Sequence, residues 1–166
     1  MSGTPGTVLD AARSQLGATD GPGRDTGYLA WLRGQTGGPD PAEGRWAAAF
    51  CAWALAYAGM DPEQTGRYAH CAPWAGWFRA RGRLAHAPVA GAVVFYDWDG
   101  DGHPEHMGFV EGRRPDGRLI TIEGDTDRDD ARGVRVARML RSATRGITGY
   151  GLPFYGPARL PRAGGP

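Results

Sequence analysis

Residues 46–60 read WAAAFCAWALAYAGM, and the way this stretch folds decides the rest of the molecule. It is apolar on every face and rich in Ala, the strongest helix former, so it predicts a helix enclosed on all sides, with Gly59 placed to end it. It is the longest nearly unbroken apolar run in the chain and too short to cross a bilayer, so membrane insertion is not expected. A helix without a polar face needs other elements around it. Upstream, residues 7–16 put Val8, Ala11, Ala12 and Leu16 on one face, with Thr7 as a cap and Gly17 as a stop. The intervening residues 18–44 are dense in Gly, Pro and Asp and predict a long loop, interrupted by an apolar patch or short helix around Tyr28, Leu29, Trp31 and Leu32. A loop of that length is more often functional than idle.

Downstream, residues 74–81 predict a further short helix ended by Gly82. Beyond Pro88 the period changes to two. Residues 92–98, 106–111, 119–123 and 133–139 predict strands separated by Gly/Asp turns, and 147–150 predict an edge strand. Helices followed by a run of strands define an α+β fold, the N-terminal helices packed on an antiparallel sheet. Neither an internal repeat nor a linker interrupts the pattern. The expectation is one domain over 1–166, with its core at about 7–156 and a flexible tail at 157–166.

Gly 28 and Pro 13 make up about a quarter of the 166 residues, close to the composition of disordered chains. Against disorder stand 41% hydrophobic residues and a net charge of only +1, enough apolar material to collapse and too little charge to resist it. All 19 basic residues are Arg, and the chain has neither Lys nor Asn, a bias that fits GC-rich coding and accounts for part of the Gly and Pro. Without Lys there is no phosphate-binding P-loop, Schiff-base lysine or kinase-type ATP lysine. Without Asn there is no N-glycosylation site, and no Asn can orient a catalytic histidine. The 19 basic and 18 acidic residues form no basic block, so nucleic acid is not an expected partner. Residues 1–10 lack the basic start and apolar core of a secretory signal, which leaves any export to another route.

Chemistry-bearing residues are few. Cys51, expected in the first turns of the central helix, would have its pKa lowered by the dipole and free amides there, yet placement alone does not separate a nucleophile from a small core residue. His106 opens a predicted strand directly after a polar turn, at the sheet rim, a position that favours it over His70, His86 and His103 without excluding His103. Glu123 ends the next strand, where a carboxylate can accept the imidazole Nδ1–H and fix the tautomer, or simply face water. Asp125 lies on a similar face if that strand continues. Ser2, Ser14 and Ser142 are the only serines and none sits in a nucleophile elbow.

At these residues the sequence resembles the CHAP family, the cysteine- and histidine-dependent amidohydrolases/peptidases of bacterial cell-wall metabolism, in the Trp- and Arg-rich wording of its actinomycete members. The resemblance runs in order through FCAWALAYAG (50–59), CAPWAGWFRARGR (71–83), PVAGAVVFYDWDGDG (88–102), EHMGFVEG (105–112), TIEGD (121–125) and ITGYGLPFY (147–155). It implies a papain-like fold and hydrolysis of an amide bond in peptidoglycan at the cell wall, without a cofactor and as a monomer. Cys51 then becomes the nucleophile, His106 the base and later the acid, and Glu123 the orienting carboxylate. Asp125 stands where members often have Asn and, when ionised, accepts a hydrogen bond but cannot donate one. Before the nucleophile, Ala48, Ala49 and Phe50 replace the usual Pro-Trp; a helix starting as early as Trp46 would weaken the dipole argument.

Asp97, Asp99 and Asp101 with Gly102 imitate half of a calcium loop but lack its closing Glu, and the residues ahead of Cys51, where some members bind calcium, offer only Asp40 and Glu43. Cys71 is expected as a packed thiol, with a Cys51–Cys71 disulfide as a redox alternative. Trp74 and Trp98 are the aromatics expected at a groove edge, able to meet peptide or sugar. The Arg-rich stretch of Arg113, Arg114, Arg128, Arg132, Arg135, Arg138 and Arg141 is expected as a solvated face. A wall-binding or assembly module without turnover, and an injected toxin using the same chemistry, are the rival readings.

Overall fold

The computed structural model describes residues 3–19, 27–37, 45–126 and 134–156. Arg128, Arg132, Asp40, Glu43 and the expected tail lie outside them. Among the described residues, five helices precede six strands: α1 Pro5–Ser14, α2 Tyr28–Thr36, α3 Ala47–Tyr57, α4 Pro62–Thr65 and α5 Cys71–Ala80, then β1 Leu84–Ala85, β2 Val93–Tyr96, β3 His106–Arg113, β4 Leu119–Thr126, β5 Arg135–Arg141 and β6 Ile147–Gly151. All strand pairs are antiparallel, in the order β1-β6-β2-β3-β4-β5. The α+β expectation holds.

α3 is the enclosed helix that its composition demands. Ala47 to Ala52, Ala54 and Leu55 are all buried, with α1 and α2 on one side and β3 and β4 on the other. Phe50 packs edge-on against Tyr28 and Phe109, and Met107, Phe109 and Ile122 join it from the sheet. Each such large apolar side chain stabilises the fold by about 1.5–3 kcal/mol. Gly124 makes this close approach possible, since a Cβ there would sit 2.6 Å from the Phe50 Cβ.

Several boundaries move. α1 is capped by Thr4, with Thr7 at N3 completing a capping box, rather than by Thr7. α5 begins at Cys71, three residues before the expected helix, because Pro73 still falls in a first turn that needs no amide donor. β6 is no edge strand: it lies between β1 and β2, the very short β1 taking the edge.

Candidate active site

Alternation divides β3 and β4 into two faces. Met107, Phe109 and Ile122 join the α3 core, so His106 and Glu123 belong to the opposite face, beside Tyr96, which pairs directly with His106. Gly108 leaves the space in which the Glu123 side chain lies, because a Cβ there would come within 2.5 Å of the Glu123 Cγ. Glu123 is fully buried and yet carries a dense set of donors. Its Oε2 lies 2.9 Å from His106 Nε2, while Oε1 accepts from Tyr96 Oη at 3.1 Å, Thr121 Oγ1 at 2.6 Å and Arg141 Nε at 2.9 Å. Arg141 Nη2 also donates to Oε2 and reaches Thr126 Oγ1 at 3.2 Å. Burial pushes the carboxyl up, but hydrogen bonds and charge from Arg141 and His106 outweigh it and hold Glu123 at about 2. Burial, and next the Glu123 charge, push the Tyr96 phenol well up, so it remains a donor.

Two features differ from expectation. The imidazole meets Glu123 through Nε2, not Nδ1, which leaves Nδ1 as the nitrogen for a reacting partner. Arg141 is not on a solvated face but binds Glu123 from above and covers Tyr96 and Trp98, at 5.6 and 5.4 Å from the ring centroids. Alternation along β5 could have flagged it, since Arg141 faces Leu119 in register and shares the face of Thr121 and Glu123. Arg135 is buried as well, and Arg138 pairs with Glu111, so the stretch is a solvated face only in part.

Trp98 is half exposed and stacks on Tyr96 at 5.3 Å and on His106 at 5.1 Å, which fixes the imidazole plane. Trp74, the other expected groove aromatic, is instead fully buried, its Nε1 donating to the Thr65 carbonyl. Its periodicity served the core of α5.

Cys51 is the fifth residue of α3, in its second turn, and fully buried. Its own amide belongs to the helical ladder, so the first-turn dipole argument does not reach it. Burial, then Cys71 and Glu123, push its thiol well above the ordinary range, and among the described residues no hydrogen bond links Sγ to His106. What the helix start presents instead is Ala47 and Ala48, which line a cleft of about 280 Å³ together with Arg45, Cys71, His103 and Glu105. The amides of Ala47, Ala48 and Ala49 lie before the first intrahelical bond, Phe50 N to Trp46 O, and are open donors of the kind that hold an oxyanion. Trp46 is the residue just before α3, and the first residue of the helix is Ala47.

Asp125 holds the start of α3. Its Oδ2 accepts from the Trp46 amide at 3.1 Å, which tethers β4 to the start of α3 and puts an acceptor at the positive end of the helix, from a backbone at φ 55°. Only an acceptor is needed there, so Asp serves. Cys71 is a buried, free thiol pushed up to about 12, chiefly by burial; Cys51 is likewise free. Of the calcium-loop acids, Asp97 accepts from the amides of Gly100 and Gly102, Asp99 from Asp101 and Asp101 from His103, a self-capped turn. Asp97, Asp99 and Glu105 bring carboxylate oxygens within 4.8 Å of one another, but Asp101 stays outside that group.

The sequence model of the CHAP domain family matches residues 26–125, which spans α2 to β4 and includes Cys51, His106 and Glu123 but not Arg141. The chain belongs to the CHAP domain family, whose members are generally hydrolases acting on peptidoglycan at the cell wall. No curated protein and no solved structure shows a significant match to the chain. No helix among the described residues is long and apolar enough to cross a membrane.

Proposed function

We propose that the protein hydrolyses an amide bond of peptidoglycan, either between glycan and peptide or within the peptide, with His106 as base and acid, Glu123 as its orienting carboxylate and Cys51 as nucleophile. The observation that carries this reading is the His106–Glu123–Arg141 array. Burying an ionised carboxylate is costly, and here it accepts from Nε2 of a single imidazole whose Nδ1 is left for chemistry. In the reaction Nδ1 takes the thiol proton, the thiolate attacks the carbonyl, open amides at the start of α3 hold the oxyanion, and His106 returns the proton to the leaving amine. Water then releases the acyl group. For Cys51, fully buried in the α3 core on the other face of the sheet from His106, to act, α3 must shift against the sheet.

That requirement favours a second reading, a wall-binding or assembly module without turnover, because Ala47 rather than a thiol occupies the first position of α3 at the cleft. Purified walls decide. Release of new amines by the wild type, abolished in Cys51→Ala and His106→Ala with unchanged thermal unfolding, supports the hydrolase; loss in Cys71→Ala alone moves the nucleophile to Cys71. Sedimentation with walls but no released amine from any form establishes the binding module. Mass spectrometry of the fragments identifies the bond.

A further inference from the structure

Beyond Trp98 lies a larger cleft, of about 510 Å³, walled by Tyr96, Trp98, Leu140, Arg141, Ser142 and Arg145. None of its lining residues is acidic; Glu123, behind Arg141, is buried and paired with it, and Glu105 lies on the backbone of Trp98, accepting from its amide at 2.8 Å. The two cations differ. Arg141 is committed to Glu123 and Thr126, whereas the exposed Arg145 side chain has no acid partner among the described residues. The β5–β6 turn places it: Ser142 Oγ accepts from the amides of Thr144 and Arg145, holding Arg145 at the mouth of the cleft. Its apolar surface is Trp98, at 50% exposure. Trp98 is held in place, stacked on Tyr96 and His106 with Gly146 packed behind it.

A fixed aromatic wall and one uncommitted guanidinium suit a short acyl peptide that ends in a free carboxylate. The carboxylate pairs with the Arg145 fork and the aliphatic side chains lie on Trp98. A phosphate polymer would be better served by several free cations, and the cleft offers one. We propose that this cleft is a subsite for a carboxylate-bearing peptide arm of the cell wall, and that Arg145 makes it select the free acid over the amidated form. The proposal rests on the reading of the chain as peptidoglycan-directed. Because Trp98 stacks directly on His106, a peptide held there is delivered beside the imidazole.

The test is binding, not turnover. N-acetyl-D-alanyl-D-alanine and its C-terminal amide are titrated into the full chain at 0.15 M salt, followed by the Trp98 indole NMR signal, which is assigned with Trp98→Phe. The acid should bind about tenfold more tightly than the amide, the size of one charge-assisted pair at a half-exposed site. Arg145→Gln should bring the two within about twofold and leave amide binding unchanged, and Arg145→Lys should restore part of the preference. Equal binding of acid and amide by the wild type, or a preference that survives Arg145→Gln, overturns the subsite while wall sedimentation still stands. Failure to bind either peptide or whole walls overturns the subsite and the reading beneath it together. Stronger Arg145-dependent competition by a soluble phosphodiester polymer than by the peptide acid also overturns it.

Discussion

Arg141→Gln is the most informative perturbation of the buried array. It removes the positive charge facing Glu123 while keeping a side chain of similar reach. Glu123 would retain Tyr96, Thr121 and His106, but its carboxylate would be left without a permanent cation in a site with no exposure. Removing one partner of a buried pair costs about 3–5 kcal/mol, and the 23% exposure of the Arg141 side chain reduces this to about 2–3 kcal/mol. The native carboxyl is held at about 2 against an ordinary 4.5, which by linkage corresponds to roughly 3 kcal/mol of stability at neutral pH from all its partners together, His106 as well as Arg141, an upper bound on the share of Arg141. The sign follows from the lowered pKa: the contribution is complete above about 4.5 and is lost as pH falls toward about 2. Urea unfolding followed by tryptophan fluorescence between pH 3 and 8 should therefore show the wild type losing stability below about 4.5. Arg141→Gln should start about 2–3 kcal/mol lower at pH 7, with a flatter acid limb that begins at higher pH. A variant within about 0.5 kcal/mol of wild type at pH 7, with an unchanged acid limb, would refute the assignment of Arg141 as the counter-ion of Glu123.

Four further outcomes are expected. Cys51 in the folded protein should alkylate with iodoacetamide at neutral pH far more slowly than in urea, because burial keeps the thiol protonated; labelling at the rate of the unfolded chain would contradict its placement. Gly124→Ala forces a methyl to within 2.6 Å of Phe50 and should cost about 1–3 kcal/mol in thermal or urea unfolding. Asp125→Asn keeps the acceptor for the Trp46 amide and tolerates φ 55°, so its stability should stay within about 1 kcal/mol of wild type, whereas Asp125→Ala should lose about 1–3 kcal/mol by the same measurement. Trp98→Ala should free the His106 ring, visible as changed imidazole NMR shifts, while costing less stability than Phe109→Ala, since half of Trp98 is already exposed.

What the chain determined by itself is the set of elements and their layering. An all-apolar, Ala-rich segment reads as a surrounded helix and period-two segments with Gly/Asp turns as an antiparallel sheet, so α3 and β2 to β6 were legible to within a few residues; that the centre of the sheet is buried on both faces was not. His106 and Glu123 were legible as candidates because both fall at informative ends of strands. Local pattern could not supply the third dimension of the site. Arg141 lies eighteen residues from Glu123 and joins it only through the β4–β5 register, and Trp74 looked like Trp98 until packing buried one and exposed the other. The same limit applies to Cys51. The sequence marks a cysteine on the central helix, but the start of that helix, set by Asp125 holding the Trp46 amide from a distant strand, decides that alanines face the cleft and the thiol faces the core. Composition and periodicity act between near neighbours along the chain; a catalytic array is built between residues that only the folded sheet brings together.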